Sequence, residues 1–123
     1  MRCPGRASSG PPRRRVFPAG CPSRTVLDHI TGKWGVLILL ALSERQQRWS
    51  ELRRRAEGIN EKMLAQTLKT LEHDGLVQQT AQPIIPPRVD YSLTARGHVL
   101  SALLVPLVAW ALENADEILN GQR

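Results

Sequence analysis

"WSELRRRAEGINEKMLAQTLKTLEHDGLV", residues 49–77, reads as two helices joined by a tight turn. Ser50 suits the N-cap of a short helix whose Leu52 and Ala56 face inward. Gly58 can take the left-handed backbone that ends this helix. Two residues on, Asn60 can cap a second helix. Ile59 stands five places before Leu64, the spacing at which an apolar residue ahead of the cap packs on the first turn. The second helix is predicted to run to about Asp74, with Gly75 closing it. Stepping 100° per residue puts Leu64, Leu68 and Leu71 on one stripe and Lys62, Gln66, Lys69 and His73 opposite. A short helix, a glycine turn and a capped helix form the local signature of a helix-turn-helix.

On the C-terminal side, residues 76–82 read as a strand, followed by "PIIPP" at 83–87 and a second strand from Arg88 to Leu93. In that second strand Val89, Tyr91 and Leu93 alternate with Arg88, Asp90 and Ser92, which predicts a β-hairpin with one face on the core and one in water. Thr94 can cap a C-terminal helical region, and Pro106 inside it predicts two helices or one kinked helix to about Leu119. Its Val99, Leu100, Leu103, Leu107, Trp110 and Leu112 are more apolar surface than one small domain covers.

On the N-terminal side, Pro22 fits a first helical position, and Val26, Leu27 and Ile30 share a face before Gly32. A further helix from about Lys33 to Leu42 is apolar nearly all round and is expected at the buried centre. The predicted fold class is therefore mainly α with a small β-hairpin. Residues 1–20 carry Pro4, Pro11, Pro12, Pro18, three glycines and five arginines with little to bury, which predicts a disordered basic leader ahead of one domain over 21–123.

The net charge of +6 is unevenly spread. Five of the 17 basic side chains lie in residues 1–20, which hold no acid, so 12 remain against all 11 acids and the body is near +1. Within that body, Arg45 to Lys69 holds seven basic groups and three acids, whereas the last turns carry Glu113, Asp116 and Glu117. A basic middle and an acidic end belong on different faces, and the basic one points to a polyanion. The longest uninterrupted apolar run, Val36 to Leu42, is far shorter than the roughly 20 residues that cross a bilayer, and no secretory leader is legible, so a cytoplasmic protein with no membrane partner is expected. Two cysteines, Cys3 and Cys21, make no disulfide framework, and a reducing compartment would keep both as thiols. His29, His73 and His98 match no metal spacing, and no nucleophile has a recognisable base partner. Neither an enzyme nor a cofactor is expected.

Helices followed by a hairpin make a winged helix, in which the second helix of the helix-turn-helix enters the major groove. Lys62, Gln66 and Lys69 then have the chemistry to read base edges. Ser50, Arg53, Arg54, Arg55, Asn60 and Arg88 suit phosphates. The alternative for this face is a solvated helix surface without a ligand.

From Cys21 to about Asn114 the chain resembles the HxlR-type winged helix-turn-helix regulators. The resemblance rests on the order and spacing of Cys21-Pro22, Gly32-Lys33-Trp34, Ser50-Glu51-Leu52, Gly58-Ile59, the Leu64, Leu68 and Leu71 stripe, Gly75-Leu76-Val77, Pro87-Arg88-Val89, Tyr91-Ser92-Leu93-Thr94 and Gly97. It implies a homodimeric transcription regulator, a repressor by expectation, on a two-fold double-stranded DNA operator. It also implies N- and C-terminal dimerisation helices, here with Val26, Leu27, Ile30, Leu103, Leu107 and Trp110 at the interface. Gln79 and Gln82 depart from the family pattern, which more often has a basic and an aromatic residue there. Several members use a cysteine at the position of Cys21 to respond to oxidants or electrophiles, which makes Cys21 a candidate sensor and a small oxidant or electrophile a candidate effector. The residues themselves leave two readings of Cys21 open. At a helix N-cap the free amides and the helix dipole favour a thiolate, whereas a small buried cysteine is equally a packing residue. Two other functions fit the same pattern: a regulator with a non-covalent small-molecule effector, and a winged-helix module that binds protein.

Overall fold

The computed structural model describes residues 20–86 and 88–121. The leader expected over residues 1–20 therefore lies, apart from Gly20, outside the described residues. The elements in chain order are α1 (Pro22–Thr31), α2 (Gly35–Glu44), β1 (Gln47–Arg48), α3 (Trp49–Arg55), α4 (Glu61–His73), β2 (Val77–Gln82), β3 (Arg88–Leu93) and α5 (Ala95–Asn120). The three strands form one antiparallel sheet in the order β1-β3-β2, with Val77 opposite Leu93 and Gln82 opposite Arg88. This is the mainly helical winged helix-turn-helix that the pattern predicts.

The local signals work as their chemistry requires. Asn60 caps α4, its Oδ1 accepting from the Met63 N–H at 2.8 Å, and Thr94 caps α5 by accepting from the Gly97 N–H at 3.0 Å. Gly58 and Gly75 have φ of 93° and 77°, the left-handed region open to glycine, and they end the helix before them. Ile38, Leu39 and Leu42 of α2, Leu52 of α3 and the Leu64, Leu68 and Leu71 stripe of α4 meet in one buried cluster. Trp34 packs against that cluster and stands within 3.7 Å of where a side chain at Gly58 would begin, so the start of α2 braces the turn before α4.

Two expectations are corrected and one strand is added. Ser50 is not the N-cap of α3: β1 runs straight into the helix, which starts at Trp49, and Glu51 instead accepts the Arg48 N–H at 3.0 Å. β1 itself is a third strand, too short for periodicity to reveal. It pairs Gln47 with Tyr91 and Arg48 with Asp90. The expected alternation along β3 holds at Leu93 and Tyr91 but fails further out. Asp90 is 2% exposed, because it accepts from Arg88 Nε at 2.9 Å and Gln82 Nε2 at 3.0 Å between two neighbouring strands, while Val89 is exposed. Of the two arrangements expected for the C-terminal region, the single helix is the one found: α5 runs for 26 residues through Pro106, which omits one N–H bond without ending the helix.

Gly97 carries a packing load. A Cβ there would stand 2.1 Å from the Leu76 carbonyl oxygen, so α5 approaches the start of β2 only because position 97 has no side chain. The clash would be with backbone, which cannot rotate away. Gly97→Ala is expected to destabilise the fold by roughly 1–3 kcal/mol or more, read as a lower urea midpoint at unchanged protein concentration. An unchanged midpoint would show that α5 does not dock at this distance.

Candidate nucleic-acid interface

The site is built on α4, whose two faces differ in chemistry because only one is needed for the core. Leu64, Leu68 and Leu71 are buried, and Lys62, Gln66 and Lys69 are exposed on the opposite side. Among the described residues none of those three makes a salt bridge or side-chain hydrogen bond, so their donors remain open to a ligand.

One groove reaches the start of this helix, and a second lies between α3 and the hairpin. In one, of about 530 Å³, Ser50, Arg53 and Arg54 of α3 face Glu61 at the start of α4. In the other, of about 400 Å³, Arg48 and Ser50 meet Arg88 and Tyr91 of the hairpin. Ser50, Arg53 and Arg54 are thus gathered at the start of α4, while Arg88 shares a separate groove with Ser50 and with Arg48, a residue the sequence analysis did not single out. Arg48 is legible as a cation only, since its place depends on the pairing of β1 with β3. Lys33 lies on a third cleft of about 320 Å³ beside Gln66 and Thr70, its Nζ 5.0 Å from the centre of the Trp34 ring.

The arginines are not equivalent. Arg55 holds Glu44 with two bonds, Nη1 to Oε1 at 2.9 Å and Nη2 to Oε2 at 2.5 Å. This hydrogen bonding, with the attraction between the two charges, lowers the Glu44 carboxyl below its ordinary pKa and raises Arg55 above its own. Arg53 pairs with Glu61 at 3.1 Å. Arg54 has no ion pair among the described residues. Arg88 is pinned through Nε by Asp90, which leaves its Nη groups without a bond among the described residues. Asn60 spends its Oδ1 on the helix cap and keeps its amide N–H groups. Glu51 is lowered first by the bond from the Arg48 N–H and then by Arg45. Burial, followed by the nearby charge of Glu72, raises the Tyr91 phenol, which therefore stays a neutral donor at physiological pH.

Of the residues expected at a dimer interface, Val26, Leu27, Leu103, Leu107 and Trp110 are exposed, but Ile30 is only 8% exposed. Ile30 belongs to the protein's own core, because α1 folds back on α2 and turns that position inward. His29 joins α1 to the end of α4 through Nδ1 and Asp74 Oδ2 at 2.7 Å. Among the described residues no cluster of three or more His, Cys, Asp or Glu side chains could hold a metal.

Cys21 occupies the N-cap of α1, is 1% exposed and makes no side-chain capping bond, while its carbonyl accepts from the Arg24 N–H at 3.0 Å. It is disulfide-bonded, which overturns the expectation of a thiol. The expectation rested on the redox poise of a compartment, whereas an individual bond depends on whether two sulfurs can reach each other. The other cysteine of the sequence, Cys3, lies outside the described residues.

Comparison with known proteins places the chain among regulators. The model of the HxlR-like helix-turn-helix family matches residues 29–118. The HTH-type transcriptional regulator YtfH of Escherichia coli K12 is 49% identical over 104 residues, 85% of this chain and 82% of that protein. Among solved structures, transcriptional regulator YtfH from Salmonella typhimurium superposes with a TM-score of 0.81 at 44% identity, covering 88% of this chain and 96% of that one. The redox regulator HypR in its oxidised form superposes with a TM-score of 0.71 at 34% identity, covering 76% and 97%.

The unequal engagement of the arginines predicts unequal effects on duplex binding. Arg54→Ala is expected to weaken binding and to flatten the dependence of log K on log salt by about 0.9 for each phosphate that is no longer neutralised. Arg55→Ala should leave that slope nearly unchanged. Fluorescence anisotropy over a salt series checks both, and equal slopes for the two variants would contradict the assignment.

Proposed function

Because the chain belongs to the HxlR-like helix-turn-helix family, and so is a DNA-binding transcriptional regulator, we propose that it acts in the cytoplasm as a homodimeric repressor. In this reading α4 lies in the major groove of a two-fold operator. Lys62 and Lys69 donate to guanine acceptors and Gln66 pairs with adenine. Ser50, Arg53, Arg54, Asn60, Arg88 and Arg48 hold the flanking phosphates, which position the helix without reading sequence. Arg53 can reach a phosphate by exchanging an exposed ion pair that contributes little on its own. The observation that carries the reading is the exposed row of Lys62, Gln66 and Lys69, without a polar side-chain partner among the described residues, on a helix whose other face is locked into the core.

The dimer reading rests on α5. Gly97, Ser101 and Leu104 dock it on the body, and Val99, Leu103, Leu107, Trp110, Leu112 and Leu119 remain exposed. By length and composition this helix is also apolar enough to cross a membrane. Its first turns are packed against the body, however, which a bilayer could not accommodate, and a second copy covers the same face at no such cost. The exposed Val26 and Leu27 of α1, around an apolar hollow with Pro22, supply a further strip for the partner. In this arrangement the two reading helices stand about 34 Å apart, one turn of duplex.

Regulation is proposed to pass through Cys21, which stands where α1 enters that interface. The likeness to a redox regulator supports this, as does the disulfide-bonded state of the residue. An oxidant takes two electrons from Cys21 and a second thiol, whose two S–H bonds break and release two protons as the sulfur–sulfur bond forms. The change matters to DNA only as far as the two redox states favour different dimer geometries.

The direct test is a gel shift on DNA from upstream of the protein's own gene, using protein first reduced with dithiothreitol and then left untreated or treated with diamide, for wild type and Cys21→Ser. The wild type is expected to bind and to change affinity with diamide, and Cys21→Ser to bind without that change. Binding no tighter than to random duplex would contradict the operator reading, and an unaltered diamide response in Cys21→Ser would contradict the sensor. Leu103→Glu with Leu107→Glu should shift the sedimenting species from dimer to monomer and weaken operator binding, since two charges cannot be buried unpaired on that face. A dimer that persists would contradict the α5 interface.

A further inference from the structure

The hairpin between β2 and β3 ends in an apolar tip. Ile85 is 99% exposed and Ile84 50%, and no other large hydrophobic side chain among the described residues is as exposed as Ile85. The tip has a fixed shape. The Ile84 N–H donates to the Gln82 carbonyl at 2.8 Å, Pro83 and Pro86 restrict the backbone on either side, and Asp90 ties Gln82 to Arg88 across the base.

The hairpin is also electrically weak. From Val77 to Leu93 it carries one basic side chain, Arg88, and one acid, Asp90, and Gln78, Gln79 and Gln82 are neutral. A wing of this composition gains little from phosphate attraction. Nevertheless Ile84 and Pro86 line the same groove as Arg48, Ser50 and Arg88. If α4 occupies the major groove, that cationic groove receives the strand bordering it. A tip that projects beyond the strand then meets the adjacent minor groove.

We propose that Ile85 is an apolar wedge for the minor groove, pressed against a base step that flanks the sequence read by α4. The inference rests on the orientation on DNA given under Proposed function. Isoleucine has no donor or acceptor, so it distinguishes sequences by how readily they open. Pyrimidine–purine steps such as TA unstack and kink most easily, and the wing selects for them without a hydrogen bond to a base. The partner is DNA itself, because the groove that carries the tip is lined by cations. A protein docking on the tip is the competing outcome.

The test uses the full chain and duplex from upstream of its own gene, with 2-aminopurine replacing adenine at successive flanking positions. The wild type is expected to raise 2-aminopurine fluorescence at one flanking step in each half-site. Ile85→Ala is expected to abolish that rise and weaken binding about tenfold or more, with the salt slope unchanged because isoleucine neutralises no phosphate. Since Ile85 is outside the core, the melting temperature of Ile85→Ala should match the wild type, and Ile85→Leu should retain most of the fluorescence rise. The proposal is overturned if Ile85→Ala binds like wild type, if the rise is absent in the wild type or survives in Ile85→Ala, or if Ile85→Ala keeps its DNA affinity while losing a co-purifying protein. Lys62→Ala with Lys69→Ala separates the wedge from the reading helix. Loss of operator binding in that variant beside normal binding by Ile85→Ala overturns the wedge alone, whereas a wild type that prefers no duplex overturns the operator reading as well.

Discussion

The burial of Leu64, Leu68 and Leu71 against α2 and α3 is the constraint on which the rest depends. It fixes the rotation of α4 about its own axis and so decides which side chains meet solvent. A helix turned by one residue would carry Lys62, Gln66 and Lys69 about 100° away from their outward direction. Three smaller features keep the rotation and the entry angle from drifting: the Asn60 cap, the left-handed Gly58, and Trp34 beside that glycine. His29 and Asp74 fasten the other end of the helix to α1. The polar face carries none of the folding load and is therefore free to be chosen for chemistry.

The same division runs through the rest of the molecule. Around α4, charges that serve the fold are paired, as in Arg55 with Glu44 and Arg45 with Glu51, whereas Lys62, Lys69 and Arg54 have no ion pair among the described residues. In α5, the first turns dock by means of Gly97, Ser101 and Leu104, and the apolar residues beyond them stay uncovered. Apolar surface of this extent on one helix is the feature on which the proposed second copy rests.

What could be read from sequence follows the range of the forces involved. Caps, glycine turns and the stripes of α2 and α4 are local, and Asn60, Thr94, Gly58, Gly75 and the leucines all serve as their types suggest. Errors arise where a residue's environment is set by a distant strand. Asp90 looks like a water-facing residue of β3 until Arg88 and Gln82 close over it. Ser50 resembles a cap until the pairing of Arg48 with Asp90 starts the helix two residues earlier. Ile30 has the periodicity of an interface residue, but the fold of α1 onto α2 turns it inward. The candidate reading face was legible for the same reason as the helix that carries it. Arg48 was not, since no spacing in the chain brings it to the hairpin.

The central claim is that two copies present their α4 helices to one face of a duplex. Hydroxyl-radical footprinting on the upstream DNA tests it most directly. Two protected patches are expected in matching half-sites, their centres about 10–10.5 base pairs apart or a multiple of that, related by a two-fold axis. A single unpaired patch, or protection no different from that on random duplex, would contradict it.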